Sequence, residues 1–149
     1  NENCPDSLIG YATFALIPAE FRFRELAKDS SVEDLYDYAS MRIPYVAISD
    51  AGSDTIRSWH RQRDNIPSLK VETKDALGAG DLRDAAFCFF LLRDQNPDIA
   101  LRKANIIASI SCEYYGREWE QDLAERLKAF PEFADDLPQN QINPDLSFG

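Results

Sequence analysis

The residues with the clearest chemical potential are Gly78-Ala79-Gly80-Asp81, which stand between a β-like run and the most hydrophobic helix pattern in the sequence. Gly78 and Gly80 lack Cβ atoms, so the backbone can turn tightly there and bring several N–H donors close to an anion. The helix predicted from about Leu82 to Arg93 would add the positive end of its dipole. Asp81 then lies where a carboxylate could accept the proton of an attacking hydroxyl group.

A turn followed by a helix N-cap explains the same four residues without any chemistry. From the residue types alone, this capping interpretation is favoured over a catalytic one. The choice between the two therefore depends on the rest of the sequence.

The wider run around these residues resembles a family signature. Lys74-Asp75-Ala76-Leu77-Gly78-Ala79-Gly80-Asp81, followed by Ala85-Ala86-Phe87, resembles the second signature of the ribokinase-like (PfkB) carbohydrate kinases. In that signature D-T-x-G-A-G-D precedes a small-residue, aromatic-rich helix. The resemblance implies that Gly78, Ala79 and Gly80 form the anion hole for the transferred phosphoryl group and that Asp81 is the catalytic base. It extends to Leu8–Glu20, Tyr45–Trp59 and Ile66–Tyr115, which resemble the C-terminal half of a family member.

The fold that this resemblance implies is α/β, a three-layer αβα arrangement with a mostly parallel sheet, of which only the C-terminal portion is represented. Residues 1–130 would form this part of the kinase domain, and residues 131–149 an acidic tail containing Pro and Asn. The implied function is an ATP-dependent phosphotransferase that acts on a hydroxyl group of a sugar, a nucleoside or a related alcohol. The implied cofactors are ATP and the Mg²⁺ carried on it, with room for a monovalent cation. The complete protein could form a homodimer.

The nucleotide loop departs from the family pattern. Where the family usually has T-x-G-x-x-G, this chain has Ser49-Asp50-Ala51-Gly52-Ser53-Asp54. The resemblance therefore implies Ser49, Ala51 and Gly52 as the candidate nucleotide contacts. Asn105, in the helix that lines the adenine pocket in the family, is a further candidate contact, or simply a polar residue on a helix flank. Ala76 and Arg83 also replace the threonine and the aromatic residue of the family signature.

Composition limits the classes of partner. The chain has 149 residues and 44% hydrophobic content, enough for one domain with a real core. A net charge of −10 argues against nucleic acid or an anionic membrane as partner. No signal peptide, membrane-length apolar run or cluster of Cys and His at ligand spacing is present, so a cytoplasmic protein without its own metal site is expected.

The order of predicted elements is typical of an α/β protein. A strand, a helix and a second strand would form a parallel βαβ unit. The predicted strands are Leu8–Ile17, Tyr45–Ser49, Thr55–His60 and Leu69–Thr73. A first helix is predicted to start at Pro18-Ala19-Glu20, and a second to run from a Ser31 cap to Met41. Three further helices are predicted at Leu82–Arg93, at Asp98–Tyr115 with a Gly116 cap, and at Trp119–Phe130.

Three functions from different classes remain open on the sequence. The chain could be the nucleotide and anion-hole half of a carbohydrate or nucleoside kinase, a relative without turnover that binds a nucleotide or a protein, or a structural module. The half that orients the sugar in the family has no counterpart here. The isolated chain is therefore expected to be inactive on sugars.

Overall fold

The computed structural model describes residues 9–137, which fall into two compact units. The N-terminal unit ends at Lys70 and the C-terminal unit begins at Val71. Leu8, the predicted start of the first strand, and residues 138–149 of the predicted tail lie outside the described residues.

The N-terminal unit is built on a four-stranded mixed sheet. Its elements in chain order are β1 Phe14–Pro18, α1 Val32–Ser40, β2 Tyr45–Ser49, β3 Thr55–Trp59 and β4 Gln62–Ile66. β1 and β2 pair in parallel with α1 between them in sequence, whereas β3 and β4 extend the sheet by antiparallel pairing. The predicted βαβ order is therefore found, and the sheet continues from it as a meander.

The predicted helix behind Ser31 is confirmed as α1. The Ser31 hydroxyl oxygen accepts the N–H of Asp34 at 3.1 Å, and the Asp34 carboxylate accepts the N–H of Ser31 at 2.8 Å. This reciprocal capping box satisfies two donors that an uncapped helix would leave open. Leu35 and Ala39 are fully buried with Val46 of β2, which places the apolar stripe of α1 on the sheet.

The first strand is shorter than predicted and lies at the edge of the sheet. β1 begins at Phe14 because the preceding residues turn, with the N–H of Ala12 donating to the carbonyl of Ile9 at 3.2 Å. The continuous apolar run from Leu8 to Ile17 predicts a strand buried on both faces, and this is wrong, since Ile17 is buried but Phe14 is 39% exposed. Among the described residues β1 pairs on one side only, with β2.

The helix predicted to start at Pro18-Ala19-Glu20 is wrong, because Pro18 ends β1 and residues 19–30 form turns and irregular chain. The Arg22 guanidinium donates to three carbonyl oxygens, those of Ala19, Phe21 and Ser30. A helix would need the first two of these carbonyls for its own hydrogen bonds. Phe23 is also buried in the N-terminal core, which is a tertiary constraint that helix propensity does not include.

The fourth strand occupies a polar run instead of the predicted Leu69–Thr73. His60 and Arg61, with φ of 48° and 67°, join β3 to β4, as in the tight turns that connect antiparallel strands. Once this turn forms, Gln62–Ile66 must pair with β3 whatever its hydropathy. Because it is an edge strand whose residues are exposed except Ile66, polar side chains cost little there.

The C-terminal unit is helical. Its elements are α2 Ala79–Asp94, α3 Pro97–Ser111, α4 Trp119–Leu127 and a short 3₁₀ helix Pro131–Phe133. Asn96 caps α3 by accepting the N–H groups of Asp98 and Ile99, as its position before Pro97 indicates. α4 ends at Leu127 instead of Phe130, because the chain tightens into 3₁₀-type bonds before Pro131.

The predicted last turn of α3 is wrong for a specific reason. α3 ends at Ser111, and the carbonyl oxygen of Cys112 accepts the N–H groups of Lys74 and Asp75 at 2.7 and 3.2 Å. In a continued helix that oxygen would accept the N–H of Gly116, which instead donates to the Asp75 carboxylate. The chain before α2 therefore replaces the helix's own hydrogen bonds.

Two further features bear on the fold as a whole. Among the described residues, no helix has the length and apolar character required to cross a membrane. Residues 131–137, the described part of the predicted tail, contain a buried aromatic side chain, Phe133, which is 1% exposed.

A buried ion cluster fastens that segment to the helices. The side chain of Lys103 is 5% exposed, and its Nζ lies 2.6 Å from Asp94 and 2.7 Å from Asp136. Burial lowers the pKa of Lys103, but the hydrogen bonds to the two carboxylates outweigh this, so its pKa is raised. Lys103 is therefore charged at neutral pH and shares its single positive charge between two largely buried acids, of which Asp136 also pairs with Arg93.

We predict that Lys103→Met lowers the free energy of unfolding by about 3 kcal/mol, because two carboxylates lose their shared cation. Urea unfolding followed by circular dichroism measures the change. The matched control is Lys128→Met, which removes a lysine paired with Glu125 where both side chains are largely exposed, and should cost less than about 1 kcal/mol. Equal effects of the two substitutions would show that burial of the cluster does not matter.

Candidate functional site

The loop before α2 is anchored by the carboxylate of Asp75. Oδ1 accepts the N–H of Leu77 at 2.9 Å, and Oδ2 accepts the N–H of Gly116 at 3.2 Å. These bonds, first that from Leu77 and then that from Gly116, lower the pKa of Asp75. An ionised carboxylate with two backbone donors thus joins the loop to the chain beyond α3.

The start of α2 is formed by Gly78, not by a side-chain cap. Gly78 has φ of 78°, and among the described residues no side chain caps the helix, which begins at Ala79 instead of the predicted Leu82. The left-handed conformation strains any other residue type and is the reason for glycine here. Asp81 therefore lies inside the first turn and does not serve as the N-cap that the capping interpretation requires.

The amides of the first turn remain available. The carbonyl of Gly78 accepts the N–H of Leu82 at 2.9 Å, but within residues 9–137 no acceptor contacts the N–H of Gly80 or Asp81. A Cβ atom placed on Gly80 would meet nothing within 4 Å. The helix therefore presents two open donors, the positive end of its dipole and free space at the same point.

Asp81 differs from its acidic neighbours on α2. Its side chain is exposed, and within the described part of the chain it has no hydrogen bond or ion pair. Arg83, which replaces the aromatic residue of the family signature, is buried and donates two hydrogen bonds to Asp84 at 2.8 and 3.0 Å. Gly78, Ala79, Gly80 and Asp81 are thus brought together in one turn, with a single uncommitted carboxylate.

The predicted nucleotide residues of the N-terminal unit follow β2. Ser49 ends the strand, and the N–H of Ser53 donates to the carbonyl of Asp50 at 2.8 Å, closing a turn in which Gly52 has φ of 74°. Ala51 and Gly52 are exposed. Positive φ at the third residue of a turn accounts for Gly52 without a ligand.

This loop is fastened from one side by the chain that follows β4. The Asp54 carboxylate accepts the N–H of Ser68 at 3.1 Å, and the Lys70 ammonium donates to the carbonyl of Gly52. Asp50 remains exposed. The loop therefore has one of its two acidic side chains engaged with backbone.

Asn105 lies in the C-terminal unit, on α3. It is 6% exposed, more buried than a polar residue on a helix flank would be.

Two contacts of the loop before α2 are not predicted by the sequence, that of Asp75 with Gly116 and that of Cys112 with the 74–75 backbone. An Asp two residues before an N–H donor does indicate a local turn, but a partner 41 positions away leaves no sequence signal.

The donor groups fit an anion better than a bare metal ion. Within residues 9–137, no group of three or more His, Cys, Asp or Glu side chains could hold a metal. The open amides at the start of α2 match phosphate oxygens, as helix N-termini do in many phosphate sites.

Solved structures of kinases have the same arrangement of elements. Ribokinase from Thermotoga maritima is 21% identical, with a TM-score of 0.65 over 75% of this chain and 39% of that one. Aminoimidazole riboside kinase from Salmonella enterica, complexed with aminoimidazole riboside and an ATP analogue, is 19% identical, with a TM-score of 0.63 over 72% and 38%. Adenosine kinase from Schistosoma mansoni, in complex with 2-fluoroadenosine, is 17% identical, with a TM-score of 0.60 over 74% and 37%. The fold is ribokinase-like.

The predicted α/β fold class is thus confirmed, but the sheet in the described residues is mixed and not mostly parallel as predicted, because only the β1–β2 pair is parallel. At these identities the likeness establishes the fold alone, and the chain spans about two fifths of the length of the ribokinase-like structures it matches. No protein-family model matches the sequence. No curated protein matches it either.

We predict opposite effects of alanine at the two glycines. Gly80→Ala should raise the free energy of unfolding by about 0.5–1 kcal/mol, because Gly80 is helical and a Cβ has room. Gly78→Ala should lower it by about 1 kcal/mol or more, because φ is 78° there. Thermal and urea unfolding measure both. Destabilisation by Gly80→Ala would mean that the chain itself requires this glycine.

Proposed function

We propose that this chain is the nucleotide and anion-hole part of an ATP-dependent kinase that phosphorylates a hydroxyl group of a sugar or nucleoside. The proposal rests on the first turn of α2, where an uncommitted Asp81 stands beside the open amides of Gly80 and Asp81. The ribokinase-like fold supports it, as do two neighbours whose structures hold a riboside or nucleoside.

Gly78, Ala79 and Gly80 would form the anion hole. The transferred phosphoryl group spreads negative charge over its oxygens, and preorganised N–H donors lower the energy of that charge. The dipole of α2, equivalent to roughly half a positive charge at its start, acts in the same direction. The open space at Gly80 allows a phosphate to approach the backbone closely. Bound ATP with its Mg²⁺ would supply the phosphoryl group.

Asp81 would be the base. Its carboxylate is exposed and forms no hydrogen bond within residues 9–137, so both oxygens are available to a substrate hydroxyl. The hydroxyl proton would pass to the carboxylate as the hydroxyl oxygen attacks phosphorus. This requires the hydroxyl within about 3 Å of the carboxylate, a geometry that substrate-orienting residues must impose.

The nucleotide contacts proposed for Ser49, Ala51, Gly52 and Asn105 belong to the same hypothesis. The exposed Ala51–Gly52 turn offers backbone groups to a nucleotide. The exposed Asp50 beside it repels phosphate, which weakens binding unless a cation intervenes. Nucleotide affinity below that of an unaltered loop is therefore expected.

A binding protein without turnover is the second candidate. It is favoured by one observation, that Arg83, which stands two residues beyond the proposed base where the family signature has an aromatic residue, is hydrogen-bonded to Asp84. A charged pair so close to the site alters the field around Asp81. The kinase and the binding protein differ in whether Asp81 affects turnover.

We predict that Asp81→Asn, made in the complete polypeptide that contains this chain, lowers kcat by roughly 10²–10⁴-fold, because the base is lost. The melting temperature should change little, since the side chain has no partner in the described structure. Coupled detection of ADP over a panel of sugars and nucleosides measures kcat. Asp122→Asn is the control, an exposed α4 residue whose carboxylate accepts the hydroxyl hydrogen of Tyr114 at 3.2 Å, and it should leave kcat unchanged. Unchanged turnover in Asp81→Asn would refute the catalytic assignment and leave the binding protein.

We also predict that the 149-residue chain alone phosphorylates no sugar or nucleoside, because one side of the transfer geometry is missing. Saturable phosphorylation by the purified chain would contradict this.

The isolated chain should also self-associate in light scattering through the edge strand β1, whose outer side is unpaired in the described residues. Phe14→Lys, at a half-exposed position of β1, should reduce the association.

A further inference from the structure

The loop between Asp75 and Gly78 has almost no packing to hold it. Ala76, Leu77 and Gly78 are exposed, and the side chain of Leu77 is 92% exposed. Hydrophobic burial therefore does not determine the path of this loop. Hydrogen bonds determine the path instead, and two of them have the same side chain as acceptor.

That side chain, Asp75, acts at two points of the chain at once. Its Oδ1 accepts the N–H of Leu77 at 2.9 Å, which fixes the residue next to Gly78, and its Oδ2 accepts the N–H of Gly116 at 3.2 Å. The backbone N–H groups of Lys74 and Asp75 meanwhile donate to Cys112. The loop that leads into α2 is thereby tied to the end of α3, an element with a buried core face.

From this geometry we propose that Asp75 is a positioning residue for the anion hole. It sets the direction of the Gly80 and Asp81 amides by holding the backbone that enters Gly78, and it does not touch the anion itself. The inference deepens the proposed function and rests on it. It adds Asp75 to the residues of the proposed site, with a role that depends on its contacts with Leu77 and Gly116.

The chemistry of the carboxylate is specific to this role. An ionised Asp accepts with both oxygens, whereas Asn has one acceptor oxygen and an NH₂ group that can only donate. In Asp75→Asn, one of the two amides, Leu77 or Gly116, must therefore lose its acceptor. Loss of a bond to a charged acceptor corresponds to roughly a tenfold or larger effect on an equilibrium that depends on it.

The charge of Asp75 must be separated from its position, because a nearby negative charge also repels anions. Asp34→Asn provides the matched control. Asp34 likewise accepts a backbone N–H, that of Ser31, and its pKa is also lowered, first by the side-chain hydrogen bond and then by the backbone one. It lies in the N-terminal unit, so its substitution changes net charge equally without altering the loop before α2.

The experiment uses the full chain labelled with ¹⁵N and inorganic tripolyphosphate as the probe. In the unsubstituted chain, tripolyphosphate should shift the Gly80 and Asp81 amide resonances saturably. Asp75→Asn should weaken this binding by roughly tenfold. It should also accelerate hydrogen exchange at Leu77 or Gly116, and Asp34→Asn should leave the affinity within about twofold. The melting temperature, measured in parallel, reports any loss of folded chain.

The outcomes separate the two hypotheses. No shift at Gly80 and Asp81 in the unsubstituted chain overturns the anion hole of the proposed function, and this inference with it. Binding in the unsubstituted chain with equal affinity in Asp75→Asn overturns the positioning role alone.

If Asp75→Asn does not fold, the unsubstituted chain still decides, because coupling between two sites is reciprocal. Saturating tripolyphosphate should then slow hydrogen exchange at Gly116, which lies outside the anion hole. Unchanged exchange there overturns the positioning role.

Discussion

The carbonyl oxygen of Cys112 is the point on which the C-terminal unit depends. It accepts the backbone N–H groups of Lys74 and Asp75, and so it cannot accept the Gly116 amide as a continued α3 would require. Gly116 in turn donates to the Asp75 carboxylate. This exchange ends α3, returns the chain beyond it towards the loop, and fixes the segment from which α2 begins. Backbone donors of each segment thus find an acceptor on the other, the Cys112 carbonyl in one direction and the Asp75 carboxylate in the other.

Acidic side chains in α2 are used in two different ways. Asp84 accepts from Arg83, and Asp94 neutralises the buried Lys103, so both contribute to structure. Asp81 has neither a cation nor a hydrogen-bond donor among the described residues, although it lies in the turn where a negative charge is stabilised by the helix dipole. An acid at this position is thus favourable for the helix and still free for chemistry, which is why local stability does not distinguish the two roles.

Local signals in the sequence predicted α1 with its Ser31 cap, β2, and the break between the helices predicted at Leu82–Arg93 and Asp98–Tyr115, because the residues that decide these features lie within one turn of them. β4 was not predictable from hydropathy, since the turn at His60 and Arg61 imposes pairing on a polar run. Arg22 likewise redirects its neighbours through contacts that no periodicity shows. In the site, the Gly78–Asp81 turn was identified by resemblance. Its anchor at Gly116 was not, because the partners are far apart in sequence.

The fold requires glycine at only one of the two glycine positions of the site. Gly78 is explained by its own backbone, because φ of 78° excludes most side chains. Gly80 has no such reason, since it lies in a helix, where glycine is less favourable than alanine, and a Cβ would meet nothing within 4 Å. A residue that costs local stability and fills no internal need indicates a requirement from outside the described chain, such as close approach of a ligand to the backbone. Since the amides of Gly80 and Asp81 are open beside it, the anion that we propose as ligand would account for both observations.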